Sequence, residues 1–230
     1  MDWKQFFTSS VGKKFIMGLT GISLILFLIV HVGLNACIFA NDNGLMFNTA
    51  AHFMGSTIVT RTLEVGLFLG ILLHIIQGYV LEVQNRSKRK KGYTISLGER
   101  GSRWYTRSMG LLGTLILLFL IMHISHFWVP SRITHDMPPV TLADGTEAHN
   151  LYAKMVAVFS SSLLVVILYV LGCISLAYHL IHGFQSAFRS IGLYNSKYLR
   201  LVNCLGIIFA IVVCIAFAMM PISIYFKWID

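Results

Sequence analysis

Carboxylates are scarce in this chain: only nine of its 230 residues are Asp or Glu. On the long apolar runs only Glu64 and Glu82 occur, both near run ends. A histidine-lined metal transporter usually adds carboxylates at the depth of its imidazoles, so that class is disfavoured. Cysteine is sparse too. Cys37, Cys173, Cys204 and Cys214 lie within apolar runs, form no C-x-x-C pair, and read as small buried hydrophobes. There is no Walker or dinucleotide-binding fingerprint, no internal repeat and no low-complexity segment, so nothing points to a soluble catalytic domain.

What the chain has in excess is apolar surface. It is 56% hydrophobic and 12% charged, with a mean hydropathy of +0.73, beyond what a soluble domain of this length uses. Five runs stand out: Phe15–Ala40, Leu63–Leu81, Met109–Pro130, Met155–Phe188 and Leu201–Phe226. Each is long enough to cross roughly 30 Å of hydrocarbon at 1.5 Å per residue. The fourth, about 50 Å if fully helical, must tilt or project beyond the bilayer. Backbone groups in lipid must pair internally, so the runs are expected as helices. The prediction is one all-α membrane domain over residues 1–230, with five transmembrane helices in up-and-down order and the first four in an antiparallel bundle. Asn41–Thr60 and Ser131–Asn150 are expected as external loops.

Lys4, Lys13 and Lys14 precede the first run, as in a signal peptide. The run is too long for one and lacks an Ala-x-Ala site before Asn41, so it reads as a retained helix. With five crossings, fourteen of the eighteen Lys and Arg residues fall on one face. Arg61, Arg132, Lys154 and Lys227 fall on the other. The net charge of +9 is therefore a positive-inside signal rather than a nucleic-acid footprint. It predicts a cytoplasmic N-terminus and an external C-terminus. Trp3, Trp104, Trp128 and Trp228 sit near run ends as interface anchors do. The basic inner loop Asn85–Tyr105 suits anionic lipid or a cytoplasmic partner.

Histidines carry the chemistry. His31, His74, His123 (with His126) and His179 (with His182) lie deep in four different runs. An ionisable ring in hydrocarbon is costly unless something binds it. His31 is 17 residues from Lys14 and His123 is 16 from Arg107, which places both roughly 25 Å from the inner edge. His74 is 12 residues from Arg86 and His179 is 10 from Arg189, or roughly 15–18 Å. Two depth-matched pairs of neutral imidazoles on facing helices suit the axial positions of two b-type haems. No C-x-x-C-H attaches either haem covalently. His126 and His182, less well matched in depth, become candidates for haem-propionate or quinone contacts.

These residues match a family. FLIVHVGLN around His31, NTAAHFMGS around His52, LEVGLFLGILLHIIQG around His74 and AYHLIHGFQS around His179 resemble the five-helix, dihaem cytochrome b subunit of succinate:quinone oxidoreductases. These are the succinate dehydrogenases and fumarate reductases. In MHISH, His123 aligns with the family's ligand. The resemblance implies His31 and His123 on the iron of an outer haem, and His74 and His179 on that of an inner one. It also implies a flavoprotein and an iron–sulfur subunit on the cytoplasmic face of a bacterial inner membrane, and a quinone, usually menaquinone. The chain would conduct electrons without itself oxidising succinate. Glu64 is the carboxylate nearest an outer quinone, with Asn35, His52 and Arg61 as possible contacts. A stand-alone transmembrane cytochrome b, or a hydrogenase-type anchor, is the alternative reading of the same histidines.

Overall fold

The computed structural model describes residues 9–88, 104–193 and 195–229. Helix α1, Ser10–Ala36, starts where the Ser9 hydroxyl accepts the Gly12 N–H at 3.0 Å, and ends in a tight turn over Cys37–Ala40. Helices α2 (Leu45–Ser56), α3 (Ile58–Lys88), the single turn α4 (Trp104–Arg107) and α5 (Met109–His123) follow. A two-stranded hairpin, β1 (Pro139–Thr141) with β2 (Glu147–His149), precedes α6 (Leu151–Ser160), α7 (Leu163–Ser190) and α8 (Ser196–Tyr225). The Asn150 and Asn195 side chains cap α6 and α8 by accepting N–H groups of their first turns.

Among the described residues five stretches are long and apolar enough to cross a membrane: Ser10–Ala40, Ile58–Ser87, Met109–Thr134, Leu163–Ser190 and Ser196–Tyr225. Leu26, Leu118 and Val212, one on each of three spans, are each 60% exposed. In water such surfaces would be costly; facing lipid tails they are the solvated side. The chain is an all-α, multi-pass membrane protein with five candidate spans. Within it α1 packs on α3 and α7, and α5 also packs on α3 and α7. These four close a ring in which α1 faces α5 and α3 faces α7. Helix α8 lies along α7 and touches α1.

The structure corrects the sequence reading at three places. The fourth run is not one helix: it breaks at Ser161–Ser162, leaving α6 short and α7 as the span. Three consecutive serines explain the break. The Ser160 and Ser161 hydroxyls bond the carbonyls of Val156 and Val158, and Ser162 is extended. Asn41–Thr60 is not simply a loop, since twelve of its residues form α2. At roughly 18 Å, α2 is too short to span. Its entry is set by Gly44, whose φ of +77° and contact with Tyr152 leave no room for a Cβ. Third, the end of the third span widens into π-helical turns at Ile124–Trp128 and Pro130–Thr134. The Ser125 hydroxyl takes the Ile121 carbonyl at 2.8 Å and Pro130 offers no N–H, which interrupts the ordinary ladder.

Helices α2 and α6 and the hairpin gather at one end of the bundle, which we term the cap end. Asn48, 1% exposed, joins them. Its amide donates to the Asn150 side chain at 3.0 Å and its oxygen accepts the Tyr152 N–H at 3.0 Å. A buried cluster from Ile38 to Ile224 fills this end, and a second around Cys173, Leu180 and Ala210 lies between α1, α7 and α8.

Candidate functional site

Each of the four span histidines meets another across the ring of helices. His31 on α1 lies against His123 on α5, with ring centroids 5.8 Å apart and planes at 90°. His74 on α3 lies against His179 on α7, at 6.2 Å and 65°. The first pair is nearer the cap end and the second deeper, so the two diagonals of the bundle cross at two levels. Metal–nitrogen bonds of about 2 Å on either side of one ion put two ring centres about 6 Å apart. Bare aromatic contact covers the same range. Distance alone therefore does not choose between them.

The ring nitrogens are unevenly satisfied. Nδ1 of His74 is 3.1 Å from the Thr20 hydroxyl. Nδ1 of His31 is 3.4 Å from the Asn35 amide, which donates to the His31 carbonyl at 2.8 Å. Nδ1 of His123 and Nδ1 of His179 are buried with no hydrogen-bond partner among the described residues. Gln77, one turn along α3 from His74, also buries its Oε1 unpartnered. Unpaired buried polar atoms are rare in native folds and mark groups awaiting a partner. Among the described residues no three His, Cys, Asp or Glu side chains gather around one point. Two opposed imidazoles with nothing else leave the remaining positions of a metal to a non-protein ligand, as a porphyrin supplies. The donor set fits a b-type haem at each level.

Aromatic rings wall the cap-side pair. Phe27 stacks on His31 at 4.9 Å, and Phe217 of α8 approaches it at 5.5 Å. Phe119 stacks on His123 at 5.7 Å. Gly172 makes room for Phe119, because a Cβ there would fall 2.5 Å from the ring.

His126 and His182 join neither pair. His126 turns toward α7, its Nδ1 2.9 Å from the Tyr169 hydroxyl and its ring parallel to the tyrosine within 7°. His182 lies one turn beyond His179 on α7, within the field of Arg189. Glu64, at the cap end of α3, is 3.4 Å from both Arg61 and Arg132 and accepts the indole N–H of Trp128. Beside it a shallow groove of about 520 Å³ is lined by Ile58, Arg61, Thr62, Val65, Gly66 and Leu69. His52, on α2, is brought to none of the span histidines. It is electrostatically coupled to Asp144 in the hairpin turn, whose carboxyl hydrogen bonds from Thr146 hold below the usual carboxylate range.

Sequence reasoning did not pick out Thr20, Gln77, Tyr169 or Phe217. Thr20, Gln77 and Tyr169 carry a usable signal, a polar group inside an apolar run. Phe217 carries none, since aromatics are common in spans. Most of the basic inner loop, with Lys4 and Trp3, lies outside the described residues. Searches against protein-family models, curated proteins and solved structures found no match to this chain.

Proposed function

We propose that this chain is the dihaem cytochrome b anchor of a succinate:quinone oxidoreductase in a bacterial cytoplasmic membrane. One observation carries the reading: four span histidines from four helices meet as two diagonal pairs at two levels. His31 and His123 would hold one haem, and His74 and His179 the other. When bound, two b haems supply one-electron transfer through the thickness of the bilayer. Neutral imidazole is the form that ligates iron. Thr20 would orient the His74 ring, and the Asn35 amide lies 3.4 Å from the His31 ring.

On this reading the cap end faces outward and the opposite end meets a flavoprotein and an iron–sulfur subunit. The excess of Lys and Arg on that inner face supports the orientation. A quinone, menaquinone in this class, would bind at the cap-side level. Glu64, held between two guanidiniums, is the carboxylate placed to pass it protons. Asn35, one turn beyond His31, and the groove beside Arg61 are proposed as further contacts of the quinone.

Affinity purification of the full chain from its native membrane tests the whole proposal. Two b haems per chain, with flavin and iron–sulfur partners and succinate-dependent quinone reduction, are expected. Two haems with no such partners would instead favour a stand-alone cytochrome b, and no haem would overturn both.

A further inference from the structure

Thr20 is a polar residue on an apolar helix, 9% exposed, with its hydroxyl in the interior. Its Oγ1 lies 2.9 Å from the Ile16 carbonyl, 3.2 Å from the Met17 carbonyl and 3.1 Å from His74 Nδ1. A hydroxyl has one proton and accepts through its lone pairs. If that proton went to His74, two carbonyl oxygens would face only lone pairs. The favourable arrangement sends the proton to α1's own backbone and leaves the hydroxyl oxygen as an acceptor. His74 must then carry its proton on Nδ1 and expose a bare Nε2.

We infer that Thr20 is a positioning residue that fixes the tautomer and ring orientation of His74, so that Nε2 is presented ready to ligate. The contact joins α1 to α3 and supplies an acceptor that His179 lacks among the described residues, where its Nδ1 has no partner. The tautomer follows from geometry alone. Its redox consequence rests on the haem reading: an acceptor on Nδ1–H makes the imidazole more electron-rich, favours ferric iron and lowers the midpoint potential.

Two measurements separate these parts. Long-range ¹H–¹⁵N spectra of the full-length chain in detergent, before haem loading, read the His74 tautomer. Nδ1–H is expected in wild type and Thr20→Ser, and a mixture with Nε2–H in Thr20→Val. Nε2–H in wild type, or identical tautomers in Thr20→Val and wild type, overturns the inference whether or not haem binds. In the haem-loaded protein, the midpoint of the haem that His74→Ala removes should move upward in Thr20→Val and return in Thr20→Ser. The other midpoint should stay in place. Two haems with unmoved midpoints in Thr20→Val would sink the redox role, while a wild type that binds no haem would sink the haem reading and leave the spectra to decide on Thr20.

Discussion

Trp128 donates its indole N–H to the carboxylate of Glu64, tying the π-helical end of the third span to the start of the second. Arg132, four residues and about one turn further on, reaches the same carboxylate. Glu64 therefore neutralises one of two guanidiniums held together at the membrane edge. Glu64→Gln should leave both guanidiniums uncompensated and, since Arg61 is half exposed and the other groups are partly so, cost up to about 1 kcal/mol in stability. On the proposed function it should also depress quinone turnover while both haems stay bound and succinate still reduces a soluble acceptor. Normal quinone turnover in this variant would remove Glu64 from the proton path. Trp128→Phe keeps the ring against Phe68, 5.0 Å away, and loses only the donor, so its effect should be milder.

The diagonal pairing sets a stricter test. Replacing His74 or His179 by Ala should remove one haem and replacing His31 or His123 the other, since a single remaining ligand holds a macrocycle poorly. Pyridine haemochrome analysis should fall from two haems per chain to one in each case. His126→Ala and His182→Ala should retain two, because neither ring joins a cross-bundle pair. Loss of a haem in His126→Ala with retention in His123→Ala would reassign the ligand on the third span.

Much of this was legible in the sequence because membrane physics restricts the choices. Apolar length marks the five spans, and distance from the flanking charges sorts His31 with His123 and His74 with His179, the pairs that meet across the bundle. What stayed hidden depends on local hydrogen-bond competition. Hydropathy treats Ser160–Ser162 as tolerable within a span, yet their hydroxyls break the helix. Likewise Ser125 and Pro130 look like a span end but widen the turn that aims His126 at Tyr169. The helix α2 was missed because its burial comes from Asn48 and Phe47 against α6, a contact more than a hundred residues away in sequence.

Gly172 is a position where adding one carbon should reach the site. Its Cβ would sit 2.5 Å from Cδ2 and 2.7 Å from Cγ of Phe119, atoms too near the ring's base to swing away. Overpacking of this kind costs about 1–3 kcal/mol. Phe119 stacks on His123, so Gly172→Ala should broaden or shift the spectrum of the cap-side haem and leave the other unchanged. Equal perturbation of both spectra would mean that the bundle as a whole, rather than the Phe119 contact, had moved.

At the cap end Asn48 satisfies two groups at once, the Asn150 side chain and the Tyr152 N–H. Asn48→Ala removes the acceptor of the Tyr152 N–H and the donor to Asn150 in a buried site, at a cost of about 1–3 kcal/mol. The loss should be local, since α2 also packs on α1 and α3, and α6 also packs on α7 and α8. Limited proteolysis should therefore cut within residues 135–150 faster in this variant, with haem content unchanged. Haem loss at the same rate as cleavage would show the cap to be part of the haem pocket.

The last expectation joins the two levels to energetics. If electrons enter near His74 and His179 from the inner face and leave to a quinone near Glu64, charge moves through part of the membrane. Each full charge carried across is worth about 2.3 kcal/mol per 100 mV. With the quinone's protons taken up from outside, a membrane potential that is negative inside drives electrons outward. Succinate oxidation by a low-potential quinone should then run faster in sealed, energised vesicles and slow when an uncoupler is added. The Glu64→Gln variant should lose quinone turnover at every potential. Turnover indifferent to potential in the wild type would place the quinone at the inner level instead, or require protons to cross with the electrons and cancel the charge.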